Sequence, residues 1–442
     1  MARVLAFEFA CGGGTKDAPH LSGLFCEGFA MLHGLASDLV RAGHEVVVTL
    51  DEKYQFLEDW FQKCLVDVIR PQDSLEDRLE GKLTEVDAAY VLAPESGGEL
   101  ERLARQVVAA GVELLSVNPN AVATFSTKSE TNRLLEVAGL PVPRWALIRG
   151  KRPLVEEVAD LDLTYPVVMK PDDGVGGEGV TLLRNPEILR DTLGDRGDDA
   201  RLPGPTLVQE YVPGTTKSLS LVHVGEELVW GAANEQVVRV QVHGEGGAES
   251  AYVGGVSPVE TRAWKDVEAL VSTFHRAGSE RGHLGVDFVE DRDGNVWFLE
   301  VNPRLTTSYV GLRRTVAFNL GELVAFPATA RVKPEVGFTS RCLYRRFTLF
   351  NEDGSPIEEL PPDLREFEKL ARERPEVVTP LFSRGESSVD FFACAELGRE
   401  ISAVAGSSLA ARLRNWLEDR GVAPSALKSF DEDRHETQVV DQ

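Results

Sequence analysis

Through the first 120 residues, short apolar runs alternate with segments of helical periodicity. Arg3 to Phe9 (RVLAFEF) and His44 to Leu50 (HEVVVTL) read as buried strands, and Val86 to Leu92 and Val112 to Val117 repeat that texture. Helical patterns lie between them, from Cys26 to Ala42 with a stop at Gly43 and from Glu99 to Ala110. Strands alternating with helices predict an open parallel α/β sheet. Ligands on such sheets meet the carboxyl ends of strands. The Gly12-Gly13-Gly14 run after the first strand is therefore either a flexible turn or a place where substrate approaches backbone amides.

Beyond residue 120 the pattern carries more chemistry. Ser126 to Gly139 reads as a helix opened by a Thr127 to Glu130 capping box and closed by Gly139 and Pro141. Lys128 falls in its first turn, where a cation is unfavourable unless an anion is near; a solvated lysine is the other reading. Val167 to Lys170 is a strand, and Gly174, Gly176, Gly177 and Gly179 follow it in a loop whose amides can approach phosphate oxygens without Cβ interference. The loop is not a Walker sequence, and its spacing differs from the dinucleotide fingerprint. Leu207 to Gly214 (LVQEYVPG) is a strand running into a turn, either an ordinary edge or an adenine-binding edge walled by Tyr211 and Val212.

The most specific stretch is Gly285 to Ser308, GVDFVEDRDGNVWFLEVNPRLTTS. Asp293-Gly294 suits a two-residue type I′ hairpin turn, which places Arg292 opposite Asn295 and Asp287 opposite Glu300. Alternation puts Asn302 on the face of Glu300, while Phe288 meets Leu299 and Val286 meets Val301 on the other. Two opposed carboxylates repel unless one is protonated or a cation lies between them. A hard divalent ion with oxygen ligands answers this, and Arg304 adds a permanent cation beside it. An exposed acidic hairpin edge is the alternative.

From about Lys333, strand-like alternation at Ser340 to Asn351 and Ser387 to Ala393 and an amphipathic helix at Ser407 to Arg420 predict a small accessory α+β unit packed on the rest. Arg345 and Arg346 within it either reach the active site or are solvated, and solvated arginines are the expectation. The polar, acidic residues 425–442 are expected to be disordered.

Composition narrows the functional classes. A chain of 442 residues exceeds one ordinary core, so roughly two to four domains are expected. The net charge of -24 argues against nucleic acid or an anionic membrane as partner. Five scattered cysteines without a CxxC, no signal-peptide pattern and no membrane-length apolar run point to a reducing cytoplasm. His223, His243 and His283 lack ligand spacing and are expected to be packing or surface residues.

Taken in order, the capped-helix lysine, the strand-lysine-glycine loop, QEYVPG, VDFV and FLEVNPR resemble the ATP-grasp superfamily of carboxylate-amine ligases over roughly Pro119 to Gly311. The resemblance implies an ATP-grasp fold after a Rossmann-like open parallel sheet: 1–120 as N-terminal α/β domain, 121–330 as ATP-grasp domain with a lid at about 161–215, and 331–424 as the accessory unit. It implies that Lys128 and Lys170 contact ATP phosphates beneath a flap of Gly174, Gly176, Gly177 and Gly179, and that Gln209, Glu210, Tyr211 and Val212 form the adenine hinge. Asp287, Glu300 and Asn302 would hold Mg²⁺, or Mn²⁺ in its place, and Arg304 would face the transferred phosphoryl group. Relatives carry an acidic ribose contact a few positions after the hinge; here the positions offer Lys217 and Ser218. FEFACGGG, NEQ at 234–236, YVGGVSP and NPRLTTSYVGL look most like the tyramine-glutamate ligases of methanofuran biosynthesis. That likeness implies Gly12, Gly13, Asn234, Gln236, Thr306, Thr307 and Ser308 as substrate contacts, with a small-molecule carboxylate and an amine as substrates. The Gln241 to Gly255 stretch is glycine-rich enough to close over them. Another ATP-grasp ligase or a bicarbonate-phosphorylating carboxylase, a non-catalytic ATP-binding module and an acidic interaction surface remain the alternatives.

Overall fold

The computed structural model describes residues 1–14, 22–70, 74–150, 154–174, 176–177, 179–186, 204–242, 250–329, 337–350, 377–379, 382–383, 388–397 and 427–428. The N-terminal strands β1 (Arg3–Glu8), β2 (Glu45–Asp51), β3 (Leu65–Ile69), β4 (Ala88–Leu92) and β5 (Glu113–Leu114) form an all-parallel sheet in the order β3-β2-β1-β4-β5. Helices α1 (Ser22–Arg41), α2 (Leu75–Leu83) and α3 (Glu99–Ala109) connect them. This is the open sheet that the alternating pattern predicts, with β3 and α2 added and β5 shorter than expected. The strand order reverses on either side of β1, so the carboxyl end of this strand and of its neighbour β4 face one crevice.

Two short helices, α4 (Pro119–Phe125) and α5 (Lys128–Val137), lead into a second sheet. It consists of β6 (Trp145–Ile148), β7 (Val167–Pro171), β8 (Thr181–Leu183), β9 (Thr206–Glu210) and β12 (Gln241–Val242), in the order β12-β8-β7-β9-β6. Ile148, Val158, Val167, Met169, Leu183 and Val208 give it a small core of its own. The sheet thus begins before residue 161 and recruits a strand from beyond 215, so the lid is larger than the sequence suggests.

The third sheet is antiparallel and contains β15 (Val296–Asn302), β14 (Arg281–Asp291), β10 (Gly214–Val224), β11 (Glu227–Arg239), β13 (Ala251–Ser257), β16 (Arg341–Phe350), β18 (Ser388–Leu397) and β17 (Phe382–Ser383) in that order, with β19 (Leu427–Lys428) paired to β16. The C-terminal strands therefore extend the central sheet and do not build a separate accessory layer, because β13 offers β16 an open edge. One apolar core joins Leu5 and Phe7 of the first sheet to Leu219, Leu221, Val286, Phe288 and Phe298 of this one. The 407–420 helix, the 425–442 tail and His243 lie outside the described residues. Among the described residues no helix is long and apolar enough to cross a membrane.

Candidate active site

The β14–β15 hairpin sets the acidic face. Asp287 pairs with Glu300, Gly285 with Asn302 and Val286 with Val301, the register read from the sequence. The turn differs. Asp291 N donates to Asn295 O at 3.0 Å and Gly294 N to Asp291 O at 2.9 Å, a three-residue loop in which Gly294 alone takes the left-handed conformation (φ +81°). The pairing near the loop is therefore offset by one, and Phe288 faces Phe298, not Leu299. A bulge between Asp287 and Phe288 restores the register, leaving Leu299 and Glu300 both on the cavity side. Phe288 and Phe298 pack against each other at 6.0 Å, which buries the opposite face.

The cavity above this hairpin is about 420 Å³ and lies between the lid and the central sheet. Asp287, Glu300, Asn302 and Arg304 line it together with Lys128, Lys170, Gly174, Gly176, Gly177, Gln209, Glu210, Tyr211 and Val212. Gly179 belongs to the same loop but packs against Pro171. Five segments spread over 176 positions of sequence thus converge on one space.

The charges within it are tightly arranged. Asn302 Nδ2 donates to Asp287 Oδ2 and Gln236 Nε2 to Asp287 Oδ1, both at 3.0 Å. Burial, followed by the neighbouring Glu300 carboxylate, pushes the Asp287 carboxyl well up. Glu300 is held low by Lys128 and Lys170 against the opposing effect of its burial. Lys128 Nζ lies 3.4 Å from Glu300 Oε2 and also donates to the Gly174 carbonyl. Lys170 is 6% exposed, and burial brings its ammonium down to about 8, an effect that Glu300 opposes and Lys128 reinforces. Two facing carboxylates, an amide oxygen and a neighbouring set of cations form a donor set that fits Mg²⁺ held jointly with phosphate oxygens.

Helix α5 reaches this site by a different cap from the one expected. Thr127 makes no side-chain cap bond. Instead Asp172, just past β7, accepts from Ser129 N and Ser129 Oγ at 2.8 Å each, and its carbonyl accepts from Lys128 N at 2.8 Å. The lid strand and the lysine-bearing helix are thereby locked together.

At the far end of the cavity, Arg304 Nε sits 2.9 Å from Glu95 Oε1, a residue just beyond β4. Thr307 Oγ1 donates to Glu27 Oε2 of α1 at 2.8 Å, and Thr306 and Ser308 share a hydroxyl contact at 2.9 Å. Gly285 is required here, since a Cβ would fall 2.4 Å from the Thr306 methyl.

Four expected contacts are not brought in. Lys217 lies on the opposite face of β10, its ammonium held by Glu290 (3.1 Å) and the Glu260 carbonyl (3.0 Å); its neighbours Thr216 and Ser218 line the cavity. Asn234 is fully buried among Ser218, Ser220 and Ser257, where it ties three strands together. Gly12 and Gly13 form a tight turn in which Gly12 N donates to Glu8 O, and neither lines the cavity. His223 and His283 are buried packing residues, bonded to Ser279 Oγ and the Arg304 carbonyl.

Glu27 and Glu95 do not read as site residues from the sequence, and Arg346 reads there as solvated. Arg346 is 4% exposed, not solvated, with Nη1 3.9 Å from Glu27 Oε1; Arg345 is likewise buried. The available signals were a lone glutamate in the apolar helix LFCEGFAML, an acid beyond the carboxyl end of β4, and arginines interrupting an apolar strand.

Residues 125–308 match the profile of the ATP-grasp domain, and residues 44–122 that of the pre ATP-grasp 3 domain. The chain carries an ATP-grasp domain preceded by a pre ATP-grasp domain. It is 27% identical over 236 residues to the carbamoyl phosphate synthase large chain of Pyrococcus furiosus, a match covering 52% of this chain and 21% of that one. The chain thus spans about a fifth of the length of that relative. Among solved structures it is similar to the biotin carboxylase domain of Hydrogenobacter thermophilus 2-oxoglutarate carboxylase in complex with MgADP, ADP and bicarbonate (TM-score 0.60, 15% identity, 95% of this chain and 90% of that one). It is also similar to an L-amino acid ligase from Bacillus licheniformis (TM-score 0.56, 15% identity, 94% and 97%). These likenesses support the ATP-grasp fold.

Proposed function

We propose that the chain joins a carboxylate to an amine at the expense of ATP, through an acyl phosphate. The observation that carries this is the convergence of Asp287, Glu300 and Asn302 with Lys128 and Lys170 in one cavity that also holds the lid glycines and the Gln209–Val212 segment. That segment ends β9 between β6 and β7 and is not the sheet edge the sequence suggests. Gln209 Nε2 is buried with no hydrogen-bond partner among the described residues, an unmet donor that a purine nitrogen answers. Asp287, Glu300 and Asn302 would hold Mg²⁺, which when bound neutralises phosphate charge.

The chain's own residues then do the positioning. Lys128 and Lys170 draw charge from the phosphates, and the lid excludes water. Arg304, fixed by Glu95, faces the carboxylate whose oxygen attacks the γ-phosphorus as the bond to ADP breaks. The amine forms the C–N bond, phosphate leaves with the C–O electrons, and the amine's extra proton passes to a carboxylate such as Glu27 or to phosphate. An amino acid such as glutamate, with tyramine or tyrosine as amine, is the pairing proposed. An ADP-release screen of amino acids against these amines, with mass spectrometry of the product, tests it. ADP release that depends on bicarbonate with no amino acid present would make the carboxylase reading correct.

A further inference from the structure

The end of the cavity away from the lysines carries charge that phosphoryl transfer does not need. Arg346 lies in β16, and by alternation it shares a face with Tyr344. Tyr344 Oη is 3.3 Å from Tyr252 Oη, and Tyr252 lines the cavity, so that face of the strand looks toward the site. Its guanidinium is 4% exposed, and among the described residues Nε and Nη2 have no hydrogen-bond partner. Among the described residues Nη1 meets only the long 3.9 Å contact with Glu27. Arg304 differs, because Glu95 already occupies its Nε at 2.9 Å. Leaving a guanidinium fork buried and unmet is costly, and the group that meets it best is a second planar anion bound through both nitrogens.

Beside this fork stands Glu27, which lines the cavity with a side chain 16% exposed. Its Oε2 accepts from Thr307, which fixes the carboxylate, while Oε1 lies toward Arg346 at 3.9 Å, beyond hydrogen-bond distance. An unpaired cation fork just behind the cavity wall and an oriented carboxylate on that wall form the complement of a group that carries a carboxylate and an ammonium on neighbouring atoms.

We propose that Glu27 and Arg346 are a zwitterion clamp that binds the headgroup of an α-amino acid, with Arg346 on the α-carboxylate and Glu27 on the α-ammonium. This deepens the ligase reading and rests on it for the fate of the bound molecule. The same headgroup arrives from either of two sources. It belongs to an acyl donor whose side-chain carboxylate reaches Arg304, or to the nucleophile itself. Under the first, the product is a side-chain amide of the amino acid; under the second, an N-acyl amino acid.

The test is calorimetry on the full chain with Mg-ADP, titrating the twenty common L-amino acids and then, for each that binds, the analogue lacking the α-carboxylate and the analogue lacking the α-amine. At least one amino acid binds, Arg346→Met weakens it by about 10²-fold, and the analogue lacking the α-carboxylate binds wild type and Arg346→Met alike. Glu27→Gln shows the reciprocal pattern with the analogue lacking the amine. Arg346→Lys, which keeps the charge but loses the fork, weakens binding at least tenfold and serves if the methionine variant fails to fold. Failure of all twenty to bind wild type, or unchanged affinity in the Arg346 variants, overturns the clamp. Turnover in the presence of hydroxylamine separates the two sources. A hydroxamate of the bound amino acid formed without a second acid marks it as donor, and a requirement for a second acid marks it as nucleophile. Absence of any hydroxamate or ADP alongside intact, clamp-dependent binding refutes the ligase reading and leaves the clamp standing.

Discussion

Lys128, in the first turn of α5, places its ammonium 3.4 Å from the Glu300 carboxylate on β15. The contact makes the two acids of the hairpin unequal, since Glu300 is stabilised as an anion while Asp287 is left to hold a proton. The neutral isosteres therefore behave oppositely in stability and alike in turnover. Asp287→Asn and Glu300→Gln each lower ADP release by about 10²-fold or more. Without nucleotide, Asp287→Asn is more stable than wild type above neutral pH, because a carboxyl raised by folding loses its favourable contribution as pH climbs through its folded value. Glu300→Gln is less stable, because Lys128 and Lys170 lose their counter-charge. Urea midpoints at pH 6 and pH 9 check both signs, and near-normal ADP release from both variants would refute the metal assignment.

Lys170 supplies a second pH dependence. Burial lowers its ammonium from the usual 10.5 to about 8. Between these values the unfolded chain binds the proton and the folded chain does not, so stability rises with pH across that window and the cost is fully present below it. Lys170→Met removes the cost, which is on the order of 3 kcal/mol for a shift of this size. The variant without nucleotide should be more stable than wild type at pH 7, by a margin that shrinks from pH 8 upward. It should also lose ATP affinity. A margin independent of pH overturns the assignment.

Glu95 and Arg304 form a largely buried pair, 6% and 17% exposed at 2.9 Å. Glu95→Ala leaves the guanidinium without its anchor, costing roughly 3 kcal/mol of stability. Turnover should fall more than tenfold while the KM for ATP stays within a factor of two, since the lysine end of the cavity is untouched. A change confined to the KM for ATP contradicts that role for Arg304.

Asp172 caps α5 through Ser129. Asp172→Ala should cost about 1–2 kcal/mol, in the range of lost helix caps. Because the same contact carries Lys128, the KM for ATP should rise as well. Thr127→Ala, at the position the sequence suggested, should change stability by less than about 0.5 kcal/mol.

The contrast between Thr127 and Asp172 shows what the sequence could convey. Periodicity and turn chemistry revealed the parallel sheet, the lysine strand and the acid-bearing hairpin, because each depends on residues close along the chain. The hairpin register came out right although its turn and its Phe288 partner did not, since a one-residue offset at the loop is cancelled by the bulge at Asp287. Lys217 and Asn234 were misplaced because the face a strand turns to a cavity depends on its neighbours in the sheet. Glu27 and Glu95 carry no local signal, and Arg346 reads as solvated, because each meets its partner across more than two hundred positions, at joins that no local pattern marks.

The continuation of the central sheet into β16 has a practical corollary. The ATP-grasp match ends at residue 308, and a fragment cut there would leave β13 with a row of unpaired amides and carbonyls from Gly254 to Ser257. Such a bare edge recruits strands from other copies, so the shortened protein should self-associate more readily than the full chain.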